Sequence, residues 1–176
     1  MSDAMNFSAR TPPAPLLGET DESAEGDELL ELLRAAKSLG GRYYRMTGKP
    51  LGVTGEVAEL AAAEKLGLRL CAAREPGFDA WDDRFNPPLR IQIKGRAVDS
   101  ADRYRGRCPA IKCGNRFDEV VLVILDHHTL EPLEIWRATE SKVVDRLAKP
   151  GSKSRNERGS LGISQFKSIA DKVWSA

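Results

Sequence analysis

From residue 27 onward, apolar residues recur at spacings of three and four: Leu29, Leu32, Leu33, Ala36, Leu39 and Tyr43. That period is an amphipathic helix, with a bend or interruption expected at Gly40-Gly41. Lys49-Pro50-Leu51-Gly52 is turn chemistry. A second helix follows, with Thr54 as N-cap, Val57, Leu60, Ala61 and Leu66 as its buried stripe, and Gly67 as its stop. Residues 68–72 read as a short strand. The period then becomes two: in Leu89-Arg90-Ile91-Gln92-Ile93-Lys94 the apolar residues face one way and the polar residues the other. A shorter strand over 78–84 precedes it, and Phe85-Asn86-Pro87-Pro88 between the two is a turn. Residues 119–126 are apolar on both faces, the mark of a central strand. Asp126-His127-His128-Thr129 turns the chain into an antiparallel partner at 133–138. A helix over 140–147 is capped by Thr139 or Ser141. Ser164 caps a last helix with Phe166, Ile169, Ala170, Val173 and Trp174 on one face. Residues 95–115 lack a clear period and form the kind of long connection that often carries function. No internal repeat is present.

If the hairpin closes about 85–88 with Arg84 opposite Leu89, Asp79 lies opposite Lys94, and directly opposed residues share a face. Asp79, Gln92 and Lys94 then converge at the end of the hairpin away from its turn. An acid, an amide oxygen and an ammonium gathered there are suited to chemistry.

A chain of 176 residues suffices for one domain with a real core, and its 41% hydrophobic and 30% charged content is that of a soluble globular protein. No apolar run approaches a membrane span, and no signal-peptide pattern opens the chain. Three cysteines form no paired framework, which points to reduced thiols and a cytoplasmic location. Cys108 and Cys113 lack a second ligand pair, so a structural zinc site is not expected. His127 and His128 sit in a turn, where polar residues belong.

The net charge of +1 is unevenly spread. Residues 1–28 hold seven acids and only Arg10, a balance of −6, which leaves +7 for the remainder. Residues 1–24, acidic and rich in proline, have too little apolar surface to order and read as a disordered tail, with a single domain over 25–176. Between Arg90 and Arg116 eight basic residues face only Asp99 and Asp102, a field suited to a polyanion.

Glu56 in a helix ending in glycine, Asp79 at the start of a hairpin, and Gln92-Ile93-Lys94 together resemble the PD-(D/E)XK nuclease superfamily. The glutamine is similar to that of the Mrr-like branch, and the series also resembles Holliday-junction resolvases. The resemblance spans roughly residues 54–138, about half the chain. It implies the restriction-endonuclease-like α/β fold, a mixed central sheet flanked by helices, and metal-dependent endonuclease activity on nucleic-acid phosphodiesters, with DNA as the partner. The catalytic set it implies is Glu56, Asp79, Gln92 and Lys94. Mg²⁺ or Mn²⁺ is held by Asp79, the Gln92 side-chain oxygen, the Ile93 carbonyl and Glu56, oxygen donors of the kind a hard cation takes. Lys94 holds the attacking water or stabilises the developing charge. On that reading Arg96, Arg103, Arg105, Arg107 and Lys112 are expected to grip phosphates beside the site, with Lys153, Arg155 and Arg158 as a second contact. The chain departs from the pattern in three places. Gln92 stands where a second acid is usual, Gly77-Phe78 where a proline precedes the aspartate, and no strong helix is evident between the third and fourth strands. Competing readings are a catalytically silent nucleic-acid-binding module on the same fold and a defence-system interaction module. A homodimer is compatible with all of them.

Overall fold

A computed structural model of the chain describes residues 21–48, 50–71, 77–99, 105–114, 116–151 and 157–176. Residues 1–20 of the tail expected over 1–24, and Arg103, Lys153 and Arg155, lie outside the described residues. Within them the order is α1 (Asp21–Thr47), α2 (Thr54–Leu66), β1 (Arg69–Leu70), β2 (Ala80–Asp82), β3 (Leu89–Val98), β4 (Glu119–Asp126), β5 (Pro132–Thr139), α3 (Glu140–Ala148), α4 (Ile163–Lys167) and β6 (Asp171–Ser175). The strands form one mixed sheet in the order β1-β2-β3-β4-β5-β6, with β3 and β4 parallel and every other neighbouring pair antiparallel. The architecture is therefore α/β. No helix of the described residues is long and apolar enough to cross a membrane.

β4 is the centre, as its composition predicts. Val121, Val123 and Leu125 pack on one face with Val57, Ala58, Ala61 and Ala62 of α2. Val120, Leu122 and Ile124 pack on the other with Phe117, Val143 of α3, and Ile163 and Phe166 of α4. Alanines on α2 bring its axis close to the sheet, and Gly95 on β3 is where they touch. A Cβ there would lie 2.5 Å from Ala58 Cβ and 2.7 Å from the Thr54 carbonyl oxygen. The parallel β3–β4 step needs a crossover. It is stitched by backbone bonds Cys108 N–H to Leu161 O (2.8 Å) and Ile111 N–H to Gly159 O (2.9 Å).

Several expectations are corrected. α1 begins at Asp21, so residues 21–24 are helical rather than tail. It runs unbroken through Gly40-Gly41, because these glycines serve close packing: a Cβ on Gly40 would meet Leu130 and Val53 methyl groups at 2.9 Å. Thr54 is the first helical residue of α2, and the N-cap is Val53, without a side-chain bond. Thr139 does cap α3, its hydroxyl accepting the Lys142 N–H. The last helix ends at Lys167. Residues 171–175 instead pair as β6 along the edge of β5, the tertiary partner overriding a helical period.

The hairpin turns about the expected residues, but its register is Asp82↔Leu89, Trp81↔Arg90 and Ala80↔Ile91. Arg84 is not opposite Leu89. The Asp82 carboxylate folds back onto Arg84, accepting its backbone N–H at 3.3 Å and its Nε at 2.8 Å, which draws residues 83 and 84 into the turn. Asp82 also accepts from Arg137 of β5 at 2.7 Å, and Arg137 reaches Glu119 as well.

Candidate metal centre and nucleic-acid interface

β2 accompanies β3 for three residue pairs and then diverges. The Asp79 N–H still bonds to Ile91 O at 2.8 Å. Beyond that the side chain takes over, Asp79 Oδ2 accepting the Ile93 N–H at 2.6 Å. Past Ile91 no strand among the described residues pairs with β3 on this side. The N–H and C=O of one strand residue point to the same edge, so the Ile93 carbonyl faces this opening too. The two-residue register shift puts Asp79 level with Gln92 instead of Lys94. A shift of two preserves the face, whereas a shift of one would have reversed it.

Asp79, Gln92 and Lys94 line one cavity of about 650 Å³, together with Lys112, Cys113 and Arg116 from the crossover. Gln92 is 7% exposed. Its Nε2 donates to the Gly77 carbonyl at 3.3 Å, which fixes the amide orientation because the reversed amide would set two acceptors together. Its Oε1 is buried and has no hydrogen-bond partner among the described residues. A buried acceptor left unpaired costs about 1–3 kcal/mol and calls for an ion or a water. Gly77, at φ +101°, lies against Arg116: a Cβ there would stand 2.5 Å from Arg116 Cβ. This contact holds that basic side chain at the cavity wall.

The helix contributes an acid the sequence reading passed over. The Glu59 carboxyl is pushed up to about 7, first by burial, then by the negative charges of Asp79 and Glu56, with Lys94 opposing. Glu59 therefore shares the field of Asp79 and Lys94, while Glu56, one turn earlier, is exposed. The signal was present in the sequence: Glu56 and Glu59 are three apart and share a helix face. Which of them stands over the sheet edge depends on where α2 crosses β3, a tertiary fact.

The donors at the edge are the Asp79 carboxylate, the orphaned Gln92 Oε1 and the Ile93 carbonyl, with Glu59 near enough to feel the charges of Asp79 and Lys94. All are oxygen, as Mg²⁺ and Mn²⁺ prefer. Among the described residues no group of three or more His, Cys, Asp or Glu side chains forms a metal cluster, so neutral oxygens and water must complete such a shell. The cysteines do not compete. Cys108 is buried with its thiol pushed up to about 12 by burial, and burial raises that of Cys113 as well.

Of the expected phosphate contacts, Lys112 lines the cavity, and Arg116 joins it there. Arg96 is exposed on the same face of β3 as Lys94 and borders a second cavity of about 530 Å³ toward Thr54 and His127. Arg105 and Arg158 are exposed. Arg107 donates to the Ser160 carbonyl at 2.6 Å and helps hold the crossover.

No protein-family model matches the sequence. No curated protein matches it either. Fold and site define a class: a mixed α/β domain with an acid, amide and lysine cavity where two strands part.

Proposed function

We propose that the protein is a metal-dependent endonuclease with a restriction-endonuclease-like fold, hydrolysing phosphodiester bonds of DNA. The observation that carries this reading is the buried, unpartnered Gln92 Oε1 beside Asp79 and Lys94 at an open strand edge. Asp79, Glu59, Gln92 Oε1 and the Ile93 carbonyl would hold Mg²⁺ or Mn²⁺. When bound, the cation polarises the phosphoryl group and neutralises its charge.

The chain's own residues do the rest. Lys94 holds the attacking water and favours loss of its proton, and its charge stabilises the negative charge that builds on the phosphoryl oxygens. Lys112 and Arg116 bind the flanking phosphates and fix the backbone relative to Asp79. The water oxygen forms the new bond to phosphorus, one ester P–O bond breaks, a proton leaves to solvent, and the departing alkoxide takes one up.

The test is incubation with supercoiled, linear, single-stranded and branched DNA, and RNA, in Mg²⁺ or Mn²⁺. The wild type should cleave only with metal. Asp79→Asn, which keeps an acceptor for the Ile93 N–H, and Lys94→Met should both lose cleavage while retaining the wild-type circular dichroism spectrum. Cleavage that survives either substitution defeats the site. Salt-sensitive DNA binding without cleavage of any substrate would establish the silent binding module instead.

A further inference from the structure

α1 carries two apolar stripes. One, through Leu33, Lys37, Gly40 and Tyr44, faces the body: Lys37 Nζ meets Glu131 at 2.9 Å and the Tyr44 ring stands edge-on to His127 at 4.9 Å. The other, Leu29, Leu32, Ala36, Leu39, Tyr43 and Met46, steps by three and four in strict alternation. This is the a/d repeat of a coiled-coil seam. Yet Leu29 is 50%, Leu32 61%, Leu39 57% and Met46 83% exposed. Large apolar side chains contiguous on one surface mark an interaction site.

The seam lies about one residue's rotation, roughly 100°, from the body-facing stripe, so a second helix can lie along it without displacing α2. A strict seven-residue repeat is matched by another helix of the same period. Charge selects which helix. Beside the seam, Glu28 and Glu31 mark one end and Arg42 the other, all exposed, whereas Arg45 turns to the body and donates to the His128 carbonyl at 3.0 Å. A parallel pair of these helices sets like charges together. An antiparallel pair layers Leu29 on Met46 and Leu32 on Tyr43 of the partner, and brings Glu31 close to the level of the opposing Arg42.

We propose that α1 is a homodimerisation surface, occupied by α1 of a second copy of this chain in antiparallel orientation. This stands independently of the activity proposed for the cavity. Sedimentation equilibrium of the full chain should show twice the 19.4 kDa chain mass, with dissociation on dilution. Leu32→Lys combined with Leu39→Lys should yield a folded monomer with the wild-type circular dichroism spectrum and a thermal midpoint independent of concentration, because both positions are exposed in the single chain. Arg42→Glu should weaken the dimer several-fold, and mixing it with Glu31→Lys should restore association. A chain that is monomeric at every concentration, or a dimer that the double lysine variant leaves intact, overturns the proposal. Indifference to Arg42→Glu overturns the antiparallel arrangement.

Discussion

One methyl group at position 95 should move the acid-bearing helix. An alanine Cβ there would stand 2.5 Å from Ala58 Cβ and 2.7 Å from Thr54 O. Carbon atoms settle at about 3.5–4.0 Å, so α2 must retreat by roughly 1 Å. Overpacking of this kind costs about 1–3 kcal/mol. The upper part of that range applies, because one clashing atom is backbone oxygen and cannot rotate away. With a urea m-value of about 2 kcal/mol/M, the unfolding midpoint should fall by about 1 M. Glu59 rides on α2 next to Ala58, so the same displacement carries it away from Asp79. Misplacement by about 1 Å can cost on the order of 10²-fold in rate. Urea titration followed by circular dichroism gives the first quantity, and single-turnover cleavage the second. Gly55→Ala is the control, since nothing lies within 4 Å of an added Cβ there. Should Gly95→Ala unfold at the wild-type midpoint, the close packing of α2 on β3 is refuted.

Three further outcomes are expected. Gln92→Glu adds a charge to the oxygen set and should tighten Mg²⁺ binding on the order of tenfold by isothermal titration calorimetry; unchanged affinity removes Gln92 from the ligands. Glu59→Gln should weaken metal binding at least as strongly as Gln92→Glu strengthens it, whereas exposed Glu56→Gln should change it little; the reverse ranking restores Glu56 to the site. The buried Asp82 carboxylate is held well below the usual carboxylate range, first by Arg84 and also by Arg137. Its contribution to stability is thus complete above the ordinary value of 3.8 and is lost progressively as pH falls from there through the lower value it has in the fold. Asp82→Asn should cost about 1–3 kcal/mol at neutral pH, by weakening the charge-assisted bonds to Arg84 and to Arg137, which keeps Glu119, and should flatten the acid limb of the stability curve; an acid limb parallel to wild type contradicts this.

Local patterns made the elements legible, and tertiary contacts decided the rest. Alternation in 89–94 and the two-faced apolar run of β4 determined the sheet interior, since burial on one or both faces leaves that mark directly. The register could not be read the same way. Alternation is blind to a slip of two, and the slip came from Asp82 bonding its own near neighbour Arg84. The C-terminal strand was hidden because Phe166, Ile169, Ala170, Val173 and Trp174 fit a helical period. What turns them is the free edge of β5, where Trp174 pairs with Ile135 and Lys172 with Trp136. Asp79, Gln92 and Lys94 still line one cavity because a two-residue slip leaves them on one side. That Glu59 is the more buried of the two helix acids is not legible in the sequence, because it depends on the crossing point of α2, which Gly95 sets.

The hydrogen bond from Ile93 N–H to the Asp79 carboxylate also bears on solubility. An unpaired strand edge is a template for edge-to-edge aggregation, and proteins blunt such edges with charge. Here the blunting group is Asp79, backed by Lys94 and Arg96 along the same edge. Alanine at 79 would free the Ile93 donor and lengthen the sticky edge. It should raise light scattering on concentration and thioflavin-T-positive precipitate on warming, while asparagine should not. An inactive alanine variant would then report aggregation and chemistry together. The carboxylate suited to drawing a cation to this edge also keeps foreign strands off it.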